Sequence, residues 1–405
     1  MAKGLDTKVA GYRTIAVHAG ERPDPATGAS SPPIQMSSTF VTERPEGFSA
    51  HELSEDGPYV YTRWQNPTVQ ALEAKLAALE GAEAAVAFGS GMAGAAAILL
   101  TELSAGDHLV LSDVSYAGIA ELARDTLPRF GVAVSLVDAS DPSALENAMR
   151  AETKLVFLDT PANPILRLSD IAAAARIARS AGARLAVDNT FATPVGTNPL
   201  SLGADYVLHS STKYLNGHGD AMGGAVCCSA ALASALRTEA IVHYGGVLSP
   251  FNAWLIARGA ATLPIRMRAH EETALALAER LEAHPKVERV LYPGLASHPQ
   301  AALARAQMRC FSGMLTIQVK GGAAAGRAAA ERIAERAKIV HHAVSLGHHR
   351  TLICWMPTAE LMETSFRLEG RQAEAYRAFA GDGVFRVSVG IEDAEDLFRD
   401  LDPLL

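Results

Sequence analysis

Cysteine is scarce in this chain of 405 residues: there are four, at positions 227, 228, 310 and 354. None stands in a Cys-x-x-Cys pair, so neither a redox couple nor a metal site is indicated, and adjacent Cys227 and Cys228 read as buried strand residues. A reducing cytoplasm is the compartment such usage suggests. Positive charge is also short, with 36 lysines and arginines against 44 aspartates and glutamates and a net charge of −8. That balance leaves no footprint for nucleic acid or an anionic membrane surface. No apolar run approaches the ~20 residues a membrane-spanning helix needs, and Met1–Lys8 lacks the apolar core of a signal peptide. Internal repeats and low-complexity tracts are missing too, apart from alanine-rich helix.

What is there suits a folded, soluble α/β protein too long for one ordinary core. Residues 1–60 carry many prolines and glycines and little periodicity. Ile34, Met36, Phe40, Val41 and Phe48 favour an arm that wraps a neighbouring subunit over a disordered tail. From Thr68, the spacing of Val69, Leu72, Leu76 and Leu79 predicts a helix stopped by Gly81. Ala84–Phe88 reads as a buried strand, and Gly89–Met92 leads into an alanine-rich helix that runs to about Leu103. A strand–glycine turn–helix unit presents free backbone N–H groups and a positive dipole end, which suits a phosphate. Strands follow near His108–Leu111, Val132–Val137, Lys154–Asp159, Arg184–Asp188, Tyr206–Ser210 and Ala225–Cys228, with helices between several of them. Continuous apolar strands of this kind predict a large, mostly parallel sheet covered on both faces, here assigned to a domain over 61–257. A long helical stretch from Pro250 to about His284 then leads into a smaller α/β domain over 258–405. Its strands are expected near Val287–Leu291, Met314–Val319, Ile339–Val344 and Val384–Val389, and its helices near Gln300–Met308, Ala323–Ala337 and Ala394–Leu401.

In parallel sheets, ligands sit at the carboxyl ends of the strands. Gly91, Asp159–Asn163, Asp188 and Ser210–Lys213 all fall at or just after such ends. The run Ser210-Ser211-Thr212-Lys213, followed by glycines 217, 219, 223 and 224, offers hydroxyls for a phosphate and one amine for a carbonyl. Pyridoxal 5'-phosphate (PLP) needs both. Asp188 ends an apolar strand, and opposite a pyridine nitrogen its charge would keep that nitrogen protonated. Each feature alone has an ordinary reading: a solvated lysine loop, a turn aspartate, an edge-strand arginine at 386, a half-buried loop aromatic at 116.

Five segments in order change the balance: Tyr61-Thr62-Arg63-Trp64-Gln65-Asn66-Pro67-Thr68, Ser90-Gly91-Met92, Thr160-Pro161-Ala162-Asn163-Pro164, Val187-Asp188-Asn189-Thr190 and His209-Ser210-Ser211-Thr212-Lys213-Tyr214. With them the chain resembles the Cys/Met-metabolism PLP-dependent enzymes, which include cystathionine γ-synthase, cystathionine γ- and β-lyases and methionine γ-lyase. The similarity extends from about Val17 to Gly390. It implies the fold type I, aspartate-aminotransferase-like architecture and a homotetramer built from two catalytic dimers. It also implies γ-elimination or γ-replacement on a homoserine- or methionine-type amino acid, as in transsulfuration. Cystathionine β-lyase is the alternative within the family, and a fold type I aminotransferase is the alternative outside it.

The resemblance further implies a role for each matching residue. Lys213 would carry the cofactor and shuttle protons, and Asp188 would pair with the ring nitrogen. Ser210, Thr212 and the amides of Gly91 and Met92 would bind the phosphate. Tyr61 and Arg63 would reach in from the neighbouring subunit. Tyr116 would stack on the ring and serve as acid for the leaving group. Asn163 would bond the ring hydroxyl or the substrate carboxylate, and Arg386, helped by Ser345, would clamp the α-carboxylate.

Two departures bear on specificity. Gly118 stands where methionine γ-lyases carry a cysteine. After Ser345 the chain reads Leu346-Gly347-His348-His349-Arg350-Thr351, with Arg350 where the γ-synthases and γ-lyases usually have glutamate. If Arg350 faces the pocket it is expected to recognise a distal anionic group of the substrate; the alternative is that His348, His349 and Arg350 lie on the pocket rim and pair with a local carboxylate. The two imidazoles are not expected to hold a metal, since adjacent residues on a strand face opposite ways.

Overall fold

The computed structural model describes residues 5–7, 9–42 and 58–405. Expectations for Phe48 and the rest of 43–57 lie outside the described residues. A first helix, α1 (Tyr12–His18), lies in the arm where no periodicity had suggested one. Its Ile15 and Ala16 pack against Leu79 of α2 (Pro67–Glu80). The bounds of α2 follow from its ends. Asn66 accepts the N–H of Thr68 at 2.9 Å, Pro67 occupies the first turn, and Gly81 closes the helix in the left-handed region. Buried Lys75 of α2 donates to Ala16 O at 2.6 Å and pairs with Glu21 at 3.0 Å, which fastens the arm to the body. Met36 and Val41, by contrast, are exposed.

The large sheet contains β1 (Ala84–Phe88), β2 (His108–Ser112), β3 (Ala133–Val137), β4 (Thr153–Asp159), β5 (Arg184–Asp188), β6 (Tyr206–His209) and β7 (Gly224–Cys228), in the spatial order β1-β7-β6-β5-β4-β2-β3. All neighbours are parallel except β7, which runs antiparallel to both β1 and β6. Side chains alternate between two covers, as the pleat requires. Val86, Phe88 and Leu208 join Ala95, Ile98 and Leu99 of α3 (Gly91–Glu102), whereas Ala85, Ala87 and Val207 join Leu72 and Leu76 of α2. This two-faced burial is why the strands read as continuous apolar runs.

The second sheet combines β8 (Val287–Leu291), β9 (Met314–Val319), β10 (His341–His342), β11 (Leu352–Pro357) and β12 (Gly383–Ser388), in the order β10-β11-β12-β9-β8. Its ladders are antiparallel except for the short β10–β11 pair. Three expectations need correction here. The long helix is two helices, Pro250–Ala260 and Leu263–Glu282. Pro264 lacks the N–H that a continuous helix would use, and its ring would strike the carbonyl of residue 260. The strand expected at Ile339–Val344 shrinks to His341–His342, because the Asp400 carboxylate takes the amides of Lys338, Ile339 and Val340 at 2.9–3.0 Å and holds them as a turn. Strand β11 and the helices Thr358–Glu363 and Gly370–Ala380 were not anticipated. No helix among the described residues is long and apolar enough to cross a membrane.

Candidate active site

Strands β4, β5 and β6 run in parallel register and deliver their last residues to one edge. Asp159 pairs with Asp188 across β4–β5, and Asp188 with Leu208 across β5–β6. Both carboxylates are buried. Asp188 Oδ1 accepts from the Thr190 N–H at 3.0 Å, and Asp159 Oδ2 from the Tyr116 N–H at 2.8 Å. Burial pushes the Asp188 carboxyl up, and the hydrogen bonds of Thr190 oppose it. Burial, together with the Asp188 charge alongside, pushes Asp159 well above the usual carboxylate range. Two buried acids side by side leave a demand for positive charge at this spot.

Lys213 follows the β6 end in a turn, its N–H donating to Ser210 O at 3.1 Å. The amine Nζ donates to Ser345 Oγ at 2.6 Å. Burial, with the Arg386 charge nearby, lowers its pKa to about 8. A free lysine is almost wholly protonated at neutral pH; here the ammonium still predominates, but the neutral form is far more accessible. Arg386, on β12, is buried; its Nη1 donates to Asn163 Oδ1 at 3.0 Å and its Nη2 to Ser345 O at 2.9 Å. Lys213, Ser345, Arg386 and Asn163 therefore form one connected group. Ser345 holds φ at +81°, an uncommon conformation for a residue with a side chain, at the point where amine and guanidinium meet it.

The start of α3 lies against the β6 turn. Ser90 Oγ accepts the Ala93 N–H at 3.1 Å, so the amides of Gly91 and Met92 have no partner within the helix. A Cβ on Gly91 would approach Ser210 Cβ to 2.9 Å, and one on Gly224 would strike Ser90 O at 2.1 Å. The cradle is closed to side chains on both sides. Ser210 donates its N–H to Thr190 Oγ1 at 2.8 Å. Thr212 is placed differently from expectation: its Oγ1 donates to Gly223 O at 3.1 Å and accepts the Gly223 N–H at 3.0 Å, so the hydroxyl is already committed.

Tyr116, half exposed, stands over this edge at the start of helix Ala117–Glu121. A Cβ on Gly118 would come within 3.0 Å of Met92 Sδ and 3.1 Å of the Tyr116 ring, so the space next to it is already taken. An open cleft of about 590 Å³ adjoins Thr212 and Ser345 and is walled by Met222, Asn252 and His348. Arg350 is exposed beyond this wall, its N–H donating to His348 Nδ1 at 3.1 Å. The His348 and His349 rings stack with centroids 4.2 Å apart and do not point opposite ways, because the segment is a bend and not a strand. Tyr61 and Arg63 are not part of the connected group: the Arg63 guanidinium stands 5.5 Å over the Tyr61 ring and donates to Val242 O, and Tyr61 is exposed. Thr190 is the residue whose part in the site sequence reasoning missed. Its position two residues after Asp188 is the signal that could have found it, since a threonine there is placed to turn the chain back onto the carboxylate.

The donor set fits PLP. It combines a cradle of free amides for the phosphate, an acid short of a cation for the ring nitrogen, and a lysine amine of lowered pKa. A seven-stranded sheet with this edge, coupled to a second smaller sheet that supplies an arginine, defines a PLP-dependent enzyme of fold type I. Residues 13–405 match the family model described as Cys/Met metabolism PLP-dependent enzyme, and the chain belongs to that family. An L-methionine γ-lyase from Fusobacterium nucleatum subsp. polymorphum is 41% identical over 400 residues, covering 98% of each chain. An O-succinylhomoserine sulfhydrylase from Pseudomonas aeruginosa is 42% identical over 402 residues, covering 98% of this chain and 95% of that one. Among solved structures, metB from Corynebacterium glutamicum superposes with a TM-score of 0.88 at 37% identity, covering 99% of both chains.

Proposed function

We propose that this enzyme removes or exchanges the γ-substituent of a homoserine- or methionine-type amino acid. The observation that carries the reading is the Lys213–Ser345–Arg386–Asn163 group, which puts a weakly basic amine and a carboxylate-binding fork on the same turn. The names of the relatives, a methionine γ-lyase and an O-succinylhomoserine sulfhydrylase, support reaction at the γ-carbon. When bound, PLP supplies an electron-withdrawing ring that lowers the cost of removing a proton from the substrate's α-carbon.

The chain's own residues do the rest. Arg386, steadied by Asn163, holds the α-carboxylate and turns the α-proton toward Lys213. The Lys213 amine takes that proton and, on its flexible stem, also reaches the β-carbon, so one base serves both positions. Tyr116 would stack on the ring and give its phenolic proton to the departing group. Asp188 would keep the ring nitrogen protonated, and its buried setting would make that pairing strong. Ser210 and the Gly91 and Met92 amides would take the phosphate. Thr212 would join them by turning its hydroxyl proton away from Gly223 O.

The oligomer is read as a homotetramer of two catalytic dimers, in which Tyr61 and Arg63 complete a neighbour's site; their position outside the connected group supports this. The chain divides into an arm (1–60), a cofactor domain (61–257) and a C-terminal domain (258–405), with the two sheets on either side of residue 257. Four unpaired cysteines suit a reducing cytoplasm. Arg350 is assigned to a distal anion on the substrate.

The test is a product assay with methionine, cystathionine and acylated homoserines, with and without cysteine. Release of 2-oxobutanoate and ammonia identifies γ-elimination, and a new thioether identifies γ-replacement. Pyruvate as the sole keto acid would refute the γ-carbon reading in favour of a β-lyase, and an amino group passed to an added keto acid would refute it in favour of an aminotransferase.

A further inference from the structure

One deeply buried carboxylate takes no part in the chemistry above. Glu80, the last residue of α2, is 1% exposed and lies beneath the site. Its Oε1 accepts from Asn189 Nδ2 at 3.2 Å and its Oε2 from Asn198 Nδ2 at 3.4 Å. His209 Nε2 stands 3.4 Å from the same Oε2 and has no hydrogen bond of its own. Two of these three partners flank the cofactor-binding residues directly. Asn189 follows Asp188 at the end of β5, and His209 precedes Ser210 at the end of β6.

The two strand ends are joined at this level by a single main-chain bond, Asn189 N–H to Leu208 O at 2.9 Å. Beyond it the strands separate, and the Ser210 N–H turns instead to Thr190 Oγ1. A carboxylate hydrogen-bonded to Asn189 and within ion-pair distance of the His209 ring bridges the gap, where no ladder bond remains. Burial raises the Glu80 carboxyl, and the contacts of His209, Asn189 and Asn198 pull it back. An apolar residue of the same size would fill the space without gripping either strand.

We infer that Glu80 is a positioning residue for the cofactor: through Asn189 and His209 it sets the distance between Asp188, which meets the ring nitrogen, and Ser210, which meets the phosphate. The inference rests on the PLP reading of the site. The cofactor is a rigid ring with a phosphate arm, so a change in that distance is felt at both ends at once.

The experiment is a PLP titration of apoenzyme, read by absorbance of the bound cofactor, for wild type, Glu80→Gln, His209→Gln and Asn198→Ala. Glu80→Gln is expected to weaken PLP about tenfold, the loss of roughly one charge-assisted bond. It should also displace the visible cofactor band and lower kcat while KM for the amino acid is unchanged. His209→Gln should act in the same direction, and it decides the matter if Glu80→Gln does not fold. Asn198→Ala removes a Glu80 partner that touches neither strand end, and should lower thermal stability while leaving affinity and band in place. Wild-type affinity and spectrum in both glutamine variants would overturn the inference. So would an Asn198→Ala protein that reproduces their losses, since the effect would then be general loosening. A wild-type protein that takes up no PLP would overturn the cofactor reading itself, and this inference with it.

Discussion

The two sheets of this molecule contribute unequally to its chemistry. In the large sheet, neighbouring parallel strands end at the same edge, so Asp159, Asp188 and the Ser210–Lys213 turn come together from three successive strands. In the smaller sheet, antiparallel ladders send alternate strand ends away from each other, and only Arg386 and the Ser345 turn reach the site. The difference shows how labour divides between them. On the proposed function, the parallel sheet would hold the cofactor and the antiparallel one would add the few groups that face the substrate.

Substitutions on either side sharpen that contrast. The largest effect is expected in the parallel sheet: Lys213→Ala should lower turnover of every sulfur amino acid by about 10³-fold or more, since it removes the proton carrier. Turnover at the wild-type rate in a steady-state assay would break the assignment. In the antiparallel sheet, Arg386→Ala should raise KM for the amino acid about 10²-fold, with Arg386→Lys recovering only part, because a point charge cannot replace a fork. PLP affinity, measured by titration, should change far less. The same alanine variant removes a positive charge beside Lys213, so the amine's pKa should rise from about 8. In apoenzyme, labelling of Lys213 by an amine reagent should then need a higher pH, because the neutral form reacts. The smallest effect is expected at the rim. Arg350→Ala should raise KM several-fold for an acylated homoserine bearing a free carboxylate and leave methionine nearly unchanged, as suits one exposed charge. Equal changes for both substrates would remove Arg350 from recognition.

The two sheets were also unequally legible. Strands buried on both faces write themselves as apolar runs, and Arg184–Asp188 and Ala84–Phe88 were placed at their observed ends. The second sheet was harder. Strand β11, Leu352–Pro357, ends in a proline and directly follows the histidine-bearing bend, and no strand was expected there. His341–His342 pairs with Leu352–Ile353, and the strand starts no earlier because Asp400, nearly sixty residues away, takes the amides of Lys338 to Val340, a tertiary effect that no local pattern carries. Within the site, Lys213, Asp188, Arg386 and Asn163 were named from motifs. The bonds from Lys213 to Ser345 and from Arg386 to Asn163 were not legible, since each joins residues more than a hundred positions apart. The Thr212–Gly223 bond was hidden for a different reason: a hydroxyl beside a lysine gives no sign that its proton is already given to the backbone of a glycine eleven residues on.

The Lys75 amine is shut away from solvent and satisfied by carbonyls at the close of the first helix and by Glu21. Its charge has nowhere else to go. A chain clipped after residue 21 would lose those carbonyls, the Glu21 partner and the packing of Ile15 and Ala16 on Leu79 together, a serious loss against a domain's whole margin of about 5–15 kcal/mol. The amino-terminal segment is thus a stopper for the interior as well as a strap along the surface.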